Sequence, residues 1–86
     1  MFDSVIITLR TEDNSFISDD LDMPCKEPLN DLTDKLLEIL RIFDNRLFSG
    51  WNDIKFTDER TNKQLNPEES LEEAGIWDGS VLIIKN

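Results

Sequence analysis

Histidine is absent from these 86 residues, and cysteine occurs once. Without histidine the chain lacks the side chain that most often serves as general base or metal ligand near neutral pH. The single Cys25 cannot close an internal disulfide, and it has no second thiol or imidazole with which to build a zinc site. Three glycines, Gly50, Gly75 and Gly79, are too few and too scattered for a phosphate-cradling loop. The longest apolar run is the four residues Val81–Ile84, against the ~20 that span a bilayer. No basic stretch precedes an apolar one at the start, so a signal peptide is not expected. Basic residues are scarce as well: nine stand against nineteen acidic ones, for a net charge of −10. Nucleic-acid phosphates and anionic lipids repel such a chain, so neither nucleic-acid binding nor membrane insertion is expected. The near-absence of cysteine fits a reducing, cytoplasmic compartment.

The composition, 38% hydrophobic and 33% charged, suits one compact domain with one core and does not suit a disordered chain. Val5–Leu9 is rich in β-branched residues and predicts a strand, with Val5, Ile7 and Leu9 on one face and Ser4, Ile6, Thr8 and Arg10 on the other. Polar residues 11–15 form a turn, and Phe16–Met23 follows as a second strand with Ile17, Leu21 and Met23 on one alternation, interrupted by Asp19. Pro24–Pro28 is a connection, with Pro28 suited to a first helical turn. From Leu29 the period becomes helical. Leu29, Leu32, Leu36, Leu40 and Phe43 share a face, Leu37 and Ile39 lie on its margins, and Asp31 and Asp34 sit towards the N-terminal end. Residues 44–52 read as a loop, Ile54–Thr57 as a third strand, and Lys63–Leu65 as a short edge strand. Ser70 and Glu73 form a capping-box pattern over a helical turn. Gly75 sits at its stop, Ile76 enters the core, and Asp78-Gly79 turns the chain into the apolar strand Val81–Ile84. The order predicts an α+β roll: a mixed sheet of four or five strands on one main helix over about residues 29–43, as a single domain over 1–86. Burying both ends together requires the first and last strands to run side by side.

Candidate chemistry is thin. Cys25 has a lysine and acidic residues nearby but no histidine partner, and a thiol in a proline-bounded connection is read as incidental. Asp19, Asp20 and Asp22 lack the rest of a calcium-loop signature, so a solvated acidic hairpin accounts for them. Glu68, Glu69, Glu72 and Glu73 ring a short helical turn as a solvated face. No catalytic residue, cofactor or metal is assigned, and the chain is expected not to be an enzyme.

The element order, together with Leu71-x-x-x-Gly75-Ile76-x-Asp78-Gly79-x-x-Leu82, resembles the ubiquitin-like β-grasp fold. Pro28-Leu29-x-x-Leu32, Trp51 leading an aliphatic strand and polar turn up to Leu65, and the same C-terminal pattern are similar to the YukD/EsaB group of small bacterial ubiquitin-like proteins. The resemblance runs from Val5 to Ile84. The tip 11–20 and the loop 44–50 depart from the pattern. Membership would imply an accessory component of type VII secretion, acting by protein–protein binding with a membrane-bound secretion component among the candidate partners. Ubiquitin and the sulfur carriers act through a Gly-Gly tail. The sequence ends at Lys85-Asn86, so conjugation is not expected. The other reading of the fold is a structural β-grasp subunit of a multicomponent enzyme.

One sheet face would carry the helix and leave the other open. Ile6, Lys55, Val81 and Ile83 would point to the open face, with Ile6, Ile83 and Lys55 in line across it. These four are the candidate protein-binding residues. Lys55 stands about where the resemblance puts the central apolar residue of the ubiquitin patch, so general ubiquitin receptors should bind poorly. Outward β-branched residues also suit central strands by packing alone, and both readings stand at this point, as do monomer and weak dimer.

Overall fold

A computed structural model describes residues 3–86. Its strands are β1 (Ser4–Thr11), β2 (Ile17–Pro24), β3 (Lys55–Asp58), β4 (Lys63–Gln64) and β5 (Val81–Lys85), with α1 (Leu29–Phe43) and α2 (Asn45–Phe48) between β2 and β3. The sheet order is β2-β1-β5-β3-β4. β1 and β5 run parallel at the centre while the other pairs are antiparallel. The expected mixed sheet, with the chain's two ends adjacent, is what forms.

Alternation makes this arrangement necessary. Ile7 and Leu9 of β1, Leu82 and Ile84 of β5, and Phe56 of β3 are buried on the face that meets α1. The centre is fastened by the turn before β5. Asp78 Oδ1 accepts the Ile6 N–H at 2.9 Å, while the Gly79 and Thr8 N–H groups donate to the Ile6 and Ser80 carbonyls. Gly79 has φ +90, which a side chain would strain.

β2 departs from expectation. Ile7 pairs with Leu21 but Leu9 pairs with Ser18, so β2 carries one extra residue there, and Asp20 takes φ +55 in the bulge. One inserted residue flips the alternation. Ile17 therefore does not share a face with Leu21 and Met23: it sits opposite Arg10 and is 53% exposed.

α1 spans the expected fifteen residues, but its buried face is Leu29, Leu32, Thr33, Leu36, Leu37 and Leu40. Leu37 belongs to the core, not its margin, and Phe43 leaves it at 66% exposed. Phe43 keeps the angular position of the stripe, yet it lies in the last turn, where another aromatic fills the adjoining space. That residue is Phe48, fully buried and edge-on to both Phe16 (5.1 Å) and Trp51 (5.0 Å), while Phe43 meets Phe16 at 6.4 Å.

Phe48 is placed by α2, where a loop was expected. Asp44 turns out of α1 at φ −152 and its carboxylate caps the next turn through the Leu47 N–H. Arg41 donates to the carbonyls of Phe48 and Trp51, fixing the far side.

Pro28 is the residue before α1, at ψ 143, and not part of its first turn. The orphan N–H groups of Leu29 and Asn30 donate to the carbonyls of Glu69 and Pro67. The same connection carries the capping box as read: Ser70 N–H to Glu73 Oε1 and Glu73 N–H to Ser70 Oγ, each 3.1 Å. Gly75 at φ +77 closes the turn, with its N–H on Glu72 O and the Ile76 N–H on Leu71 O.

Phe48→Ala should cost about 3–5 kcal/mol, whereas Phe43→Ala should stay within about 1 kcal/mol because its ring is largely hydrated; urea midpoints of the two variants test the contrast. Asp13 in the β1–β2 turn accepts from the Ser15 hydroxyl and N–H and then from the Thr11 hydroxyl, which holds its carboxyl below the ordinary 3.8. Its contribution is present above that value and disappears as pH falls through the lower folded value. An NMR titration should show the Ser15 amide moving only below the ordinary aspartate range, a movement absent in Asp13→Asn.

Candidate protein-binding surface

The sheet face turned away from α1 is built by cross-strand pairs, whose side chains project together. Along it, Ile6 stands opposite Asp22, Thr8 beside Val81, Arg10 between Ile17 and Ile83, Ile83 opposite Thr57, and Lys55 opposite Lys85. Ile6, Lys55, Val81 and Ile83 thus all belong to this face, as their strand alternation requires.

They do not form the expected line. Arg10, not Ile6, occupies the row of Ile83, and four residues of strand separate the two by about 13 Å. Ile6 lies at one corner, against the Asp78-Gly79 turn, and Lys55 lies one pair beyond Ile83 at the opposite end. Val81 is the diagonal link between Ile6 and Ile83. Strand faces can be read from alternation, but the stagger between β1 and β5 is set by where the Asp78 carboxylate and Gly79 N–H meet Ile6, more than seventy residues away in sequence.

Three features of this face have no counterpart in the sequence reading. Arg10 Nε donates to Glu59 Oε2 at 2.9 Å, and its Nη1 donates to Asn14 Oδ1 and Thr11 O. Glu59 follows β3 with its N–H on Val81 O, so the ion pair crosses β5 beside Val81 and Ile83, both of which are partly buried. The second feature is Ile17, brought here by the bulge. The third is Trp77, 56% exposed, with the Arg60 guanidinium 4.5 Å from its ring centre. Trp77 and Ile6, the latter 47% exposed, flank an open cleft of about 420 Å³ whose polar lining includes Asp22, Glu72 and Asp78. An exposed Trp beside an Ile is the kind of anchor that dominates protein interfaces. A tryptophan just before an Asp-Gly turn was the one signal that could have drawn attention to this corner.

The remaining candidates are dispersed. Cys25 is buried. Asp19 accepts from Thr8 Oγ1, Asp20 sits in the bulge and Asp22 pairs across from Ile6. Among the described residues no three acidic or cysteine side chains come together as a metal site. Glu73 is occupied in the capping box.

Replacing Glu59 by Gln should lower stability by less than about 1 kcal/mol, because the pair is partly exposed. The difference in urea midpoint from the parent should shrink further in 1 M salt.

No protein-family profile and no curated protein sequence matches the chain. Solved structures do. The ubiquitin-like domain of the Mycobacterium tuberculosis type VII secretion system protein ECCD1 superposes with a TM-score of 0.77 at 20% identity, covering 99% of this chain and 100% of that one. The EccD5 ubiquitin-like domain from Mycobacterium xenopi gives 0.73 at 18% identity over 95% and 92%. A chain of the MycP5-free ESX-5 inner membrane complex gives 0.75 at 18% over 98% of this chain, which spans 21% of that longer one. At these identities the likeness is one of fold, and the fold is ubiquitin-like.

Proposed function

We propose that this chain is a non-enzymatic, protein-binding ubiquitin-like domain of a type VII secretion system, a cytoplasmic component that docks on a membrane-bound part of the machine. The observation that carries this reading is end-to-end likeness: the three neighbours described above all come from type VII secretion proteins or their inner-membrane complex, and the ECCD1 domain matches over its whole length. The YukD/EsaB-like patterns at Pro28–Leu32 and Leu71–Leu82 point the same way. No helix among the described residues is long and apolar enough to cross a membrane, which suits a domain that docks on such a complex from the aqueous side.

Binding is proposed to use the sheet face away from α1. Ile6 and Trp77 supply exposed apolar area at one corner, and Val81 and Ile83 continue it along β5. The Arg10–Glu59 pair and Lys55 border that strip with charge. A partner that covers the strip desolvates the apolar centre while meeting charge at the edge, the usual distribution in a specific interface.

Deleting the gene should abolish or strongly reduce export of the system's substrates, and restoring it with Ile6→Asp should fail to rescue. Ile6→Asp should fold normally by amide NMR, since the side chain is already half hydrated. Ile83→Asp should also lose binding but at some cost in stability, because the Arg10–Glu59 pair lies beside it. Unchanged export in the deletion strain sinks the secretion reading, and full rescue by both folded variants sinks the sheet-face assignment.

A further inference from the structure

The largest exposed apolar residues outside the sheet face lie on the other side of the molecule, on α1: Ile39, Ile42 at 83% exposed and Phe43. Ile39 also lines a groove of about 220 Å³ between α1 and β2, with Leu21 and Met23 on the strand side and Leu32 and Leu36 on the helix side. That volume is below the ~300–1,000 Å³ typical of small-molecule pockets, so it is suited to one or two side chains of a larger partner.

β2 is the outer strand of the sheet beside this groove. The Cys25 N–H donates to Asp3 O at 3.0 Å. In the antiparallel alternation Met23 and Leu21 therefore bond to β1, while the N–H and C=O of Asp22 and the C=O of Pro24 point away from the sheet. These groups can hydrogen-bond an added strand. Side chains of that strand would alternate: those beside Leu21 and Met23 would enter the groove towards Ile39 and Leu36, and those on the other face would stand beside Asp22, with Asp19 and Asp20 near.

We infer that the β2–α1 seam accepts an extended segment of another protein in which apolar and basic side chains alternate, added as a sixth strand on the β2 edge. Charge decides the occupant. The chain carries −10 overall, and the exposed acidic residues of β2 would face the incoming strand. A second copy pairing through the same edge would set aspartates against aspartates, which is destabilising. The opposite edge, β4, has only two residues, Lys63 and Gln64, too short to supply the segment. Lys35 lines the groove on the helix wall, and Asp22 and Glu27 supply its acidic lining.

The test uses the 15N-labelled chain and a blocked eight-residue peptide of alternating valine and lysine. Two controls accompany it, one with glutamate for lysine and one with proline at a central valine. The expected result is amide shifts at Leu21–Met23 and along Leu32–Ile39. Binding should be at least tenfold weaker for Ile39→Asp and Asp22→Lys, unchanged for Lys63→Glu on the opposite edge, and lost with both control peptides. Ile39 and Asp22 are both exposed, so the variants should keep the parent's spectrum elsewhere. Four results overturn the proposal: no shifts at the seam, shifts spread over all acidic surfaces, equal binding of the proline peptide, or self-association of the chain through β2 without peptide. The Ile39→Asp arm and the shifts along Leu32–Ile39 are independent of the sheet-face assignment because Ile39 lies on α1, whereas Asp22 borders both surfaces. The Ile6 and Ile83 variants test the sheet face separately.

Discussion

The structure depends on one pairing: β1 and β5, from opposite ends of the chain, lying parallel at the centre of the sheet. Parallel neighbours cannot be joined by a short turn, so everything between residues 11 and 81 serves as the crossover. That crossover holds α1, which covers one face, and β3–β4, which extend the sheet on the far side of β5. Both central strands bury alternate aliphatic residues, and a contact of such long sequence separation forms only after substantial loop closure. The Asp78-Gly79 turn is what makes the pairing specific. It gives Ile6 an acceptor for its N–H and a donor for its carbonyl, and so sets the stagger of the two strands.

The same stagger distributes the surface. Because Ile83 lies in the row of Arg10 and not of Ile6, the face away from α1 has an apolar corner at Ile6 and Trp77, a strip along β5, and an ion pair alongside. On the other side, the β2 bulge sends Ile17 outward and leaves Leu21 and Met23 facing α1, which creates the groove at the sheet edge. The two surfaces lie on opposite sides of the sheet and meet at its edge, at Asp22. A domain with no histidine and, among its described residues, no cluster of metal-binding side chains thus carries two chemically different surfaces.

Much of this was legible in advance. The alternation of Val5–Leu9 and Val81–Ile84, the fifteen-residue helix, the capping box of Ser70 and Glu73 and the Gly75 stop each have a local cause, and each is found. The exceptions share a cause of another kind. Ile17 changes face because one extra residue is absorbed at Asp20. Phe43 is displaced from the core by Phe48, and Phe48 is available only because Asp44 caps a short helix that local pattern does not announce. Pro28 moves out of the helix because carbonyls from Pro67 and Glu69 satisfy the first N–H groups.

Local pattern alone specifies the five strands and the main helix, the buried faces of β1, β3 and β5, and the roll that joins the two ends, since periodicity and turn chemistry act over a few residues. Only the tertiary structure decided register, the rank of competing aromatics and the partners of Arg10, Arg41 and Arg60. Those depend on contacts between residues tens of positions apart, where several arrangements satisfy the same local pattern and packing selects one.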